Sequence, residues 1–229
     1  MVAEVTLPGP AYSLALGPRT LVALAGWTVH HWALDCSNPA SIKVEAQASF
    51  LDLPPVEDSR SWLEAHSALL SRSFLVTRAT QLSGTSATSA CYLQKRRVSP
   101  TSGIVAPTLL HPDSSALGPD VLEISDMALS EDGTLATLTM ERINGAPRYV
   151  VKVQDCNSGQ QLAALPQTDI LSSVQVTTYS LYKQHLVQVP ICWLNGQLYM
   201  KEVPRSLVSS GDRFAECVEE EFMVSLLKW

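Results

Sequence analysis

The five histidines of this chain are the first residues to consider for chemistry, because histidine is a common metal ligand and titrates near neutral pH. His30 and His31 are consecutive in a segment that we predict to be a strand, so their side chains point to opposite faces and cannot share one metal ion. The other three lie at no ligand spacing from a second histidine or cysteine, and they are His66, His111 and His185. We therefore expect all five to be core or surface residues.

Candidate nucleophiles and phosphate-binding loops are equally scarce. The segment Gly84-Thr85-Ser86 lacks the second glycine of a nucleophile elbow, and it precedes a predicted strand where the elbow precedes a helix. No glycine-rich phosphate-binding pattern is present, and paired carboxylates such as Glu131-Asp132 occur in predicted turns. We predict no catalytic residue, no cofactor and no bound metal, and hence a protein that is not an enzyme.

The cysteines indicate neither a disulfide framework nor a zinc site. They are odd in number, widely separated and without any Cys-x-x-Cys pair. The five positions are Cys36, Cys91, Cys156, Cys192 and Cys217. We expect scattered buried or turn thiols.

A short basic segment is the one local exception to an acidic chain. Lys95, Arg96 and Arg97 end a predicted strand and run into Val98-Ser99-Pro100, which is loop-like. The arginines with Ser99 resemble a site for basophilic kinases, whereas Ser99-Pro100 resembles a site for proline-directed kinases. Ser99 is therefore a possible phosphorylation site on a docking loop. The alternative is an ordinary solvated loop.

The elements that would position such residues are clearest between residues 127 and 166. Ser130-Glu-Asp-Gly133 ends one apolar run and supplies turn chemistry. Asn144-Gly145 lies between two further β-prone runs and is a strong hairpin signal. Cys156-Asn-Ser-Gly159 turns the chain once more. The pattern predicts four antiparallel strands joined by three short turns.

These turns resemble those of WD-repeat blades. In that family a Ser-Pro-Asp-Gly-like turn precedes the second strand, and the third strand ends in Trp-Asp. The matching residues are Ser130, Asp132 and Gly133 in the first turn, Asp155 at the end of the third strand and Gly159 in the last turn. Gln154 replaces the tryptophan, and no Gly-His pair precedes the blade. The resemblance implies a β-propeller.

Weaker echoes of this unit predict internal repetition. The four best strand pairs begin near residues 20, 73, 134 and 185. A blade needs stacked neighbours to bury its faces, so repetition supports the fold class. We predict a mainly all-β chain of antiparallel meander blades, about four in number, which form either a small ring or part of a larger one. Because an open ring leaves exposed strand edges, we expect either a longer parent protein or completion by a partner.

Two helices complete the predicted fold. Apolar residues at helical spacing favour a short helix near residues 61–70, after a proline-rich acidic segment. A stripe at steps of three to four residues predicts an amphipathic helix in 209–229, separate from a propeller domain at 1–208. Such a helix either packs on the chain's own sheet or leads into a helical region, or it lies in the groove of a partner. The candidate partner-binding residues on its stripe are Phe214, Val218, Phe222, Leu226 and Trp229.

Composition sets the remaining expectations. A net charge of −6 and a pI near 5.3 oppose direct nucleic-acid binding, which needs clustered basic residues. No apolar run is long enough for a membrane span, and the amino-terminal apolar stretch lacks a preceding basic region, which argues against a secretory signal. We expect an intracellular protein, nuclear or cytoplasmic, whose partners are other proteins in a stable complex.

Two functions remain open from the sequence. The first is a non-catalytic scaffold, a propeller-type subunit of a larger multiprotein assembly. The second is the non-catalytic propeller portion of a hydrolase similar to the prolyl-oligopeptidase family, whose blades carry Ser-x-Asp-Gly turns like the one at Ser130–Gly133. A following α/β domain would favour the hydrolase, whereas a helical continuation would favour the scaffold.

Overall fold

A computed structural model shows a chain whose described residues lie mainly in antiparallel β-sheets. It describes residues 6–7, 9–38, 42–51, 62–82, 89–114, 116–167, 191–194, 197–202 and 223–227. These residues form fifteen strands in four separate sheets and one 3-10 turn at Pro112–Ser114. The predicted all-β class is confirmed at this level.

Two sheets belong to a first compact unit, which comprises Met1–Pro119 together with Glu131–Thr134 and Cys156–Gly159. Sheet A is a meander of β1 (Ser13–Leu16), β2 (Thr20–Ala25), β3 (Thr28–Asp35) and β4 (Lys43–Leu51). Sheet B repeats this order with β5 (Trp62–Leu70), β6 (Phe74–Leu82), β7 (Ser89–Val98) and β8 (Val105–Leu110). Neighbouring strands in the chain are thus neighbours in each sheet.

The second unit contains the strands of the other two sheets. Sheet C consists of β9 (Val121–Leu129), β10 (Thr134–Ile143), β11 (Ala146–Asp155) and β12 (Gln161–Gln167) in the same meander order. Sheet D has three described strands, which are β13 (Ile191–Leu194), β14 (Gln197–Glu202) and β15 (Met223–Leu227). The four-stranded unit predicted between residues 127 and 166 is therefore present.

The turns of sheet C explain why this four-stranded unit could be predicted from the sequence. Asn144 and Gly145 have φ of 53° and 79°, the left-handed pair that a two-residue hairpin turn requires. In the preceding turn the Asp132 carboxylate accepts a hydrogen bond from the Thr134 N–H at 3.2 Å. Gly133 there has a φ of 92°, and a Cβ on it would overlap the Phe74 ring. Turn chemistry and close packing both select these residues.

The core of the first unit lies between sheets A and B and follows the period of two along each strand. Its buried members are Val22, Leu24 and Val29 from sheet A with Ala68, Leu75, Val98 and Val105 from sheet B. Residues of the opposite parity in sheet A form another cluster, Ala23, Trp32 and Leu34. Each fully buried Val or Leu contributes about 1.5–3 kcal/mol, so both faces of this sheet stabilise the fold.

The helix predicted near residues 61–70 is wrong, because this segment is strand β5 and pairs along its length with β6. Its apolar residues fit a helical stripe and an alternating strand equally well. Ala68 lies in the core between sheets A and B, and Leu70, two residues on, packs against it. Pairing with β6 and burial on the same face decided the conformation over local periodicity.

The amphipathic helix predicted in 209–229 is wrong where the structure describes the chain. Residues Met223–Leu227 form β15, which pairs antiparallel with β14 from Leu198 opposite Leu227 to Glu202 opposite Met223. The free edge of β14 supplies backbone partners that helical periodicity cannot reveal. The rest of the predicted helix, at 209–222 and 228–229, lies outside the described residues.

Other segments also gained strands that the sequence did not indicate. The chain that follows the loop-like segment at Ser99-Pro100 contains β8. Pro107 lies in β8 and Pro166 in β12, the last strands of their sheets, where a missing backbone N–H is tolerated. The edge position of β8 therefore accommodates a proline that, in the sequence, argued against a strand.

Candidate functional site

The first strands of sheets A and B lie side by side and set the geometry of the candidate site. The Ser13 hydroxyl of β1 accepts a hydrogen bond from the Ala68 N–H of β5 at 3.2 Å. Ala15, two residues further along β1, packs against the core between the sheets. The odd-numbered face of β1 is thus occupied by sheet B.

The even-numbered side of the same strand carries an exposed apolar stripe. Tyr12, Leu14 and Leu16 are 60%, 65% and 72% exposed. Tyr12 precedes β1 but continues its ladder, since its N–H donates to the Leu24 carbonyl at 2.8 Å. We call these three residues the β1 stripe. Contiguous exposed apolar groups on an ordered strand are characteristic of interaction surfaces.

A buried polar cluster lies between sheets A and B. The centroids of the His31 and Phe50 rings are 6.1 Å apart. The Arg96 guanidinium carbon lies 4.8 Å from the centroid of the same Phe50 ring. His31 and Arg96 are each 2% exposed. Among the residues that the structure describes, His31 Nδ1 and Gln94 Oε1 have no hydrogen-bond partner. Burial lowers the pKa of His31 below its ordinary value, which favours the neutral ring.

This cluster offers little chemistry. Phe50 contacts both basic groups, and Gln94 lies two residues from Arg96 on the same face of β7. Neither a nucleophile nor a carboxylate is among these four residues, so they do not form a nucleophile-and-base pair. The two histidines of β3 do face opposite ways as predicted, because His30 Nδ1 instead lies 2.8 Å from the Ser49 hydroxyl.

Ser99, the predicted phosphorylation site, begins the turn between β7 and β8. Its N–H donates to the Ile104 carbonyl at 2.9 Å, and its carbonyl accepts from the Gly103 N–H at 2.8 Å. The Ser99 hydroxyl accepts from the Ser102 N–H at 3.2 Å. The far side of the turn is held to sheet A, because the Thr20 hydroxyl donates to the Gly103 carbonyl at 2.7 Å. The turn is ordered and only half-buried at Ser99.

The neighbouring arginine of this segment also takes part in packing. The Arg97 guanidinium lies 4.9 Å over the Phe74 ring and donates to the Asn157 side-chain oxygen. His111 Nε2 lies 2.9 Å from the Asn157 carbonyl oxygen. These contacts join the end of sheet B to the turn at Cys156–Gly159, within the first unit.

The predicted partner-binding residues are mostly outside the described part of the chain. Leu226 lies in β15 opposite Tyr199 of β14. The other four fall on residues that the structure does not describe, and they are Phe214, Val218, Phe222 and Trp229. The role of these five residues in binding therefore stays a prediction.

Metal sites and membrane-spanning helices are two further features to consider in the described ranges. These residues contain no group of three or more His, Cys, Asp or Glu side chains placed to hold a metal ion. Nor do they include a helix long and apolar enough to cross a membrane.

Sequence reasoning missed the β1 stripe. Its signal was the alternation of Tyr12, Leu14 and Leu16 with Ser13 and Ala15. Such alternation predicts a strand with two different faces, but it does not indicate which face a neighbouring sheet covers. Here the smaller residues face the neighbour and the larger ones remain exposed.

Comparison of the sequence with protein-family models finds no match. Comparison with curated proteins finds no match either. Function must therefore be argued from the geometry of this chain alone.

Proposed function

We propose that this chain is a non-catalytic protein-interaction scaffold of the β-propeller type, a subunit of a larger intracellular assembly. The observation that carries the proposal is the β1 stripe, defined by Tyr12, Leu14 and Leu16. An ordered strand that buries small residues on one side and exposes large apolar ones on the other is suited to a second protein.

The mode of binding follows from contacts already present within each unit. In the first unit, β1 and β5 join through Ser13 and Ala68. In the second unit, the Trp193 indole N–H of β13 donates to the Ala128 carbonyl of β9 at 3.2 Å. First strands of successive sheets therefore pack against one another. We propose that the partner packs an apolar β-sheet face against the β1 stripe, so that β1 has a sheet on each side.

The test is affinity purification of the full-length protein with quantitative mass spectrometry, comparing the unmodified chain with Leu14→Glu and Leu16→Glu. A glutamate on either position places a charge in the proposed interface, so we expect loss of at least about 90% of a stable partner, equivalent to about 1.4 kcal/mol or more. Both substitutions lie at exposed positions and should leave the thermal unfolding temperature nearly unchanged.

The matched control is Leu162→Glu, which alters another exposed leucine, 48% accessible on β12. It should retain the partner. Equal recovery of the same partner with all three variants would refute the β1 stripe as the docking surface, and recovery of no stable partner by the unmodified chain would refute the scaffold function.

A further inference from the structure

Ser99-Pro100 is unusual in this chain because it places a serine directly before a proline. Of the 14 prolines, Pro100 alone follows a serine or threonine. The same serine stands three residues after Arg96 and two after Arg97, so two classes of protein kinase have a motif here. The fold distinguishes between them.

The proline side of the motif is accessible. Pro100 and Thr101 are exposed at the tip of the β7–β8 turn. The hydrogen bonds of the Ser99 hydroxyl are local and long, at 3.2 Å to the Ser102 N–H and 3.2 Å to the Thr101 hydroxyl. Opening this tip exchanges these contacts, and the bond between the Gly103 N–H and the Ser99 carbonyl, for water. It leaves β7 paired with β8, which makes it a local motion.

The arginine three residues before Ser99 is inaccessible. Arg96 is 2% exposed between the two sheets, with its guanidinium over the Phe50 ring. Arg97 is exposed, but its guanidinium is engaged by Phe74 and Asn157. The strand that carries both, β7, is paired on one side with β6 and on the other with β8. A kinase that reads these arginines must separate β7 from the sheet, which opens the core around Val98.

We propose that Ser99 is a modification site for proline-directed kinases in the folded protein and is closed to basophilic kinases. The Ser99 hydroxyl oxygen forms a bond to the γ-phosphorus of ATP as the bond between that phosphorus and the β,γ-bridging oxygen breaks. ADP leaves with the bridging oxygen, and the hydroxyl proton passes to the kinase's catalytic base. The inference does not depend on the proposed scaffold function.

The experiment compares two purified kinases on two substrates with labelled ATP. One enzyme is a mitogen-activated protein kinase, and the other is the catalytic subunit of cyclic-AMP-dependent protein kinase. The substrates are the folded full chain and a synthetic peptide of residues 93–104, which carries both motifs without the fold. We expect the first kinase to label Ser99 in both substrates. The second should label the peptide at least about tenfold faster than the folded chain.

Three variants test whether the labelling depends on the Ser99-Pro100 motif. Pro100→Ala should abolish labelling of the folded chain by the proline-directed kinase, and Ser99→Ala should do the same. Pro107→Ala, which alters a proline that follows an alanine, should leave the labelling rate within about twofold. The proposal is overturned if the proline-directed kinase labels only the peptide or neither substrate, if Pro100→Ala is labelled normally, or if the basophilic kinase labels folded chain and peptide equally.

Discussion

His31 and Arg96 are two basic side chains held against one aromatic ring in the core of the first unit. Each contacts Phe50, and neither has access to bulk water. A positive charge at His31 would therefore have to form with little solvation. This explains why burial lowers the pKa of His31, and it makes the residue a source of pH-dependent stability.

The free energy of unfolding should fall on acidification because of His31. Its pKa in the folded chain lies below the value of 6.5 that it recovers on unfolding, so between these values the unfolded chain binds more protons. Stability is thus complete above about pH 6.5 and is lost as pH falls toward the folded pKa, by at most about 1.4 kcal/mol per pH unit. Thermal unfolding measured from pH 7.5 to 5.5 tests this.

His31→Leu should flatten that pH dependence, because leucine does not titrate and suits an apolar site beside Phe50. The matched variant is His30→Gln, which changes the neighbouring buried histidine on the other face and should keep most of the slope. Identical pH profiles for His31→Leu and the unmodified chain would show that the slope arises elsewhere.

For single residues, the sequence predicts the face of the strand from which a side chain projects, but it does not predict whether that side chain is buried. The opposite faces of His30 and His31 follow from the period of two in a strand. The burial of Arg96 does not follow, because Lys95-Arg96-Arg97 has the composition of a solvated loop. Only the apposition of two sheets creates a site in which a guanidinium stacks on a ring.

At the scale of elements, three turn or loop glycines differ in two properties: whether the backbone is left-handed, and whether a Cβ would meet neighbouring atoms. Gly118 and Gly145 both have open space where a Cβ would be, but Gly145 alone of these two has a positive φ, 79°. Gly103 has a φ of 70° and, in addition, a Cβ there would overlap the backbone of Arg19. The three therefore form a graded series for substitution by alanine.

Gly118→Ala should be neutral or slightly stabilising, since it restricts the unfolded chain without strain. Gly145→Ala should cost about 1–2 kcal/mol for the left-handed backbone alone. Gly103→Ala should cost more than Gly145→Ala, because the β7–β8 turn must also move away from sheet A. Chemical denaturation of the three variants measures the order, and a Gly145→Ala chain as stable as the Gly118→Ala chain would contradict it.

The elements that the sequence predicts well are those that local chemistry determines. Asn144-Gly145 fixes its hairpin through two left-handed residues, whatever surrounds it. The segment 62–70 has no such determinant, so its pairing with β6 and the burial of Ala68 decided for a strand. The strand at 223–227 was missed for the same reason, because its partner β14 precedes it by some twenty residues.

At the scale of the whole molecule, one kind of hydrogen bond joins successive sheets within each unit. A side chain on the first strand of one sheet accepts a hydrogen bond from a backbone N–H on the first strand of the next. Ser13 does so for Ala68 at 3.2 Å, and Asp126 does so for Ile191 at 2.8 Å. Repetition of sheets was predictable from turn spacing, whereas this kind of hydrogen bond was not, since Ser13 and Asp126 share neither residue type nor flanking sequence.

Removing the acceptor in one unit should release only the strand that it holds. In Asp126→Ala the Ile191 N–H loses its charged acceptor, so we expect hydrogen exchange at that amide to accelerate roughly tenfold or more, as a lost bond of about 1.5–3 kcal/mol requires. Asp126→Asn keeps an acceptor oxygen and should restore most of the protection. Ser13→Ala provides the reciprocal control, because it should accelerate exchange at Ala68 and leave Ile191 unchanged. If both alanine variants raise exchange at both amides equally, the contacts act through global stability, and the assignment of each sheet junction to its own first-strand acceptor is wrong.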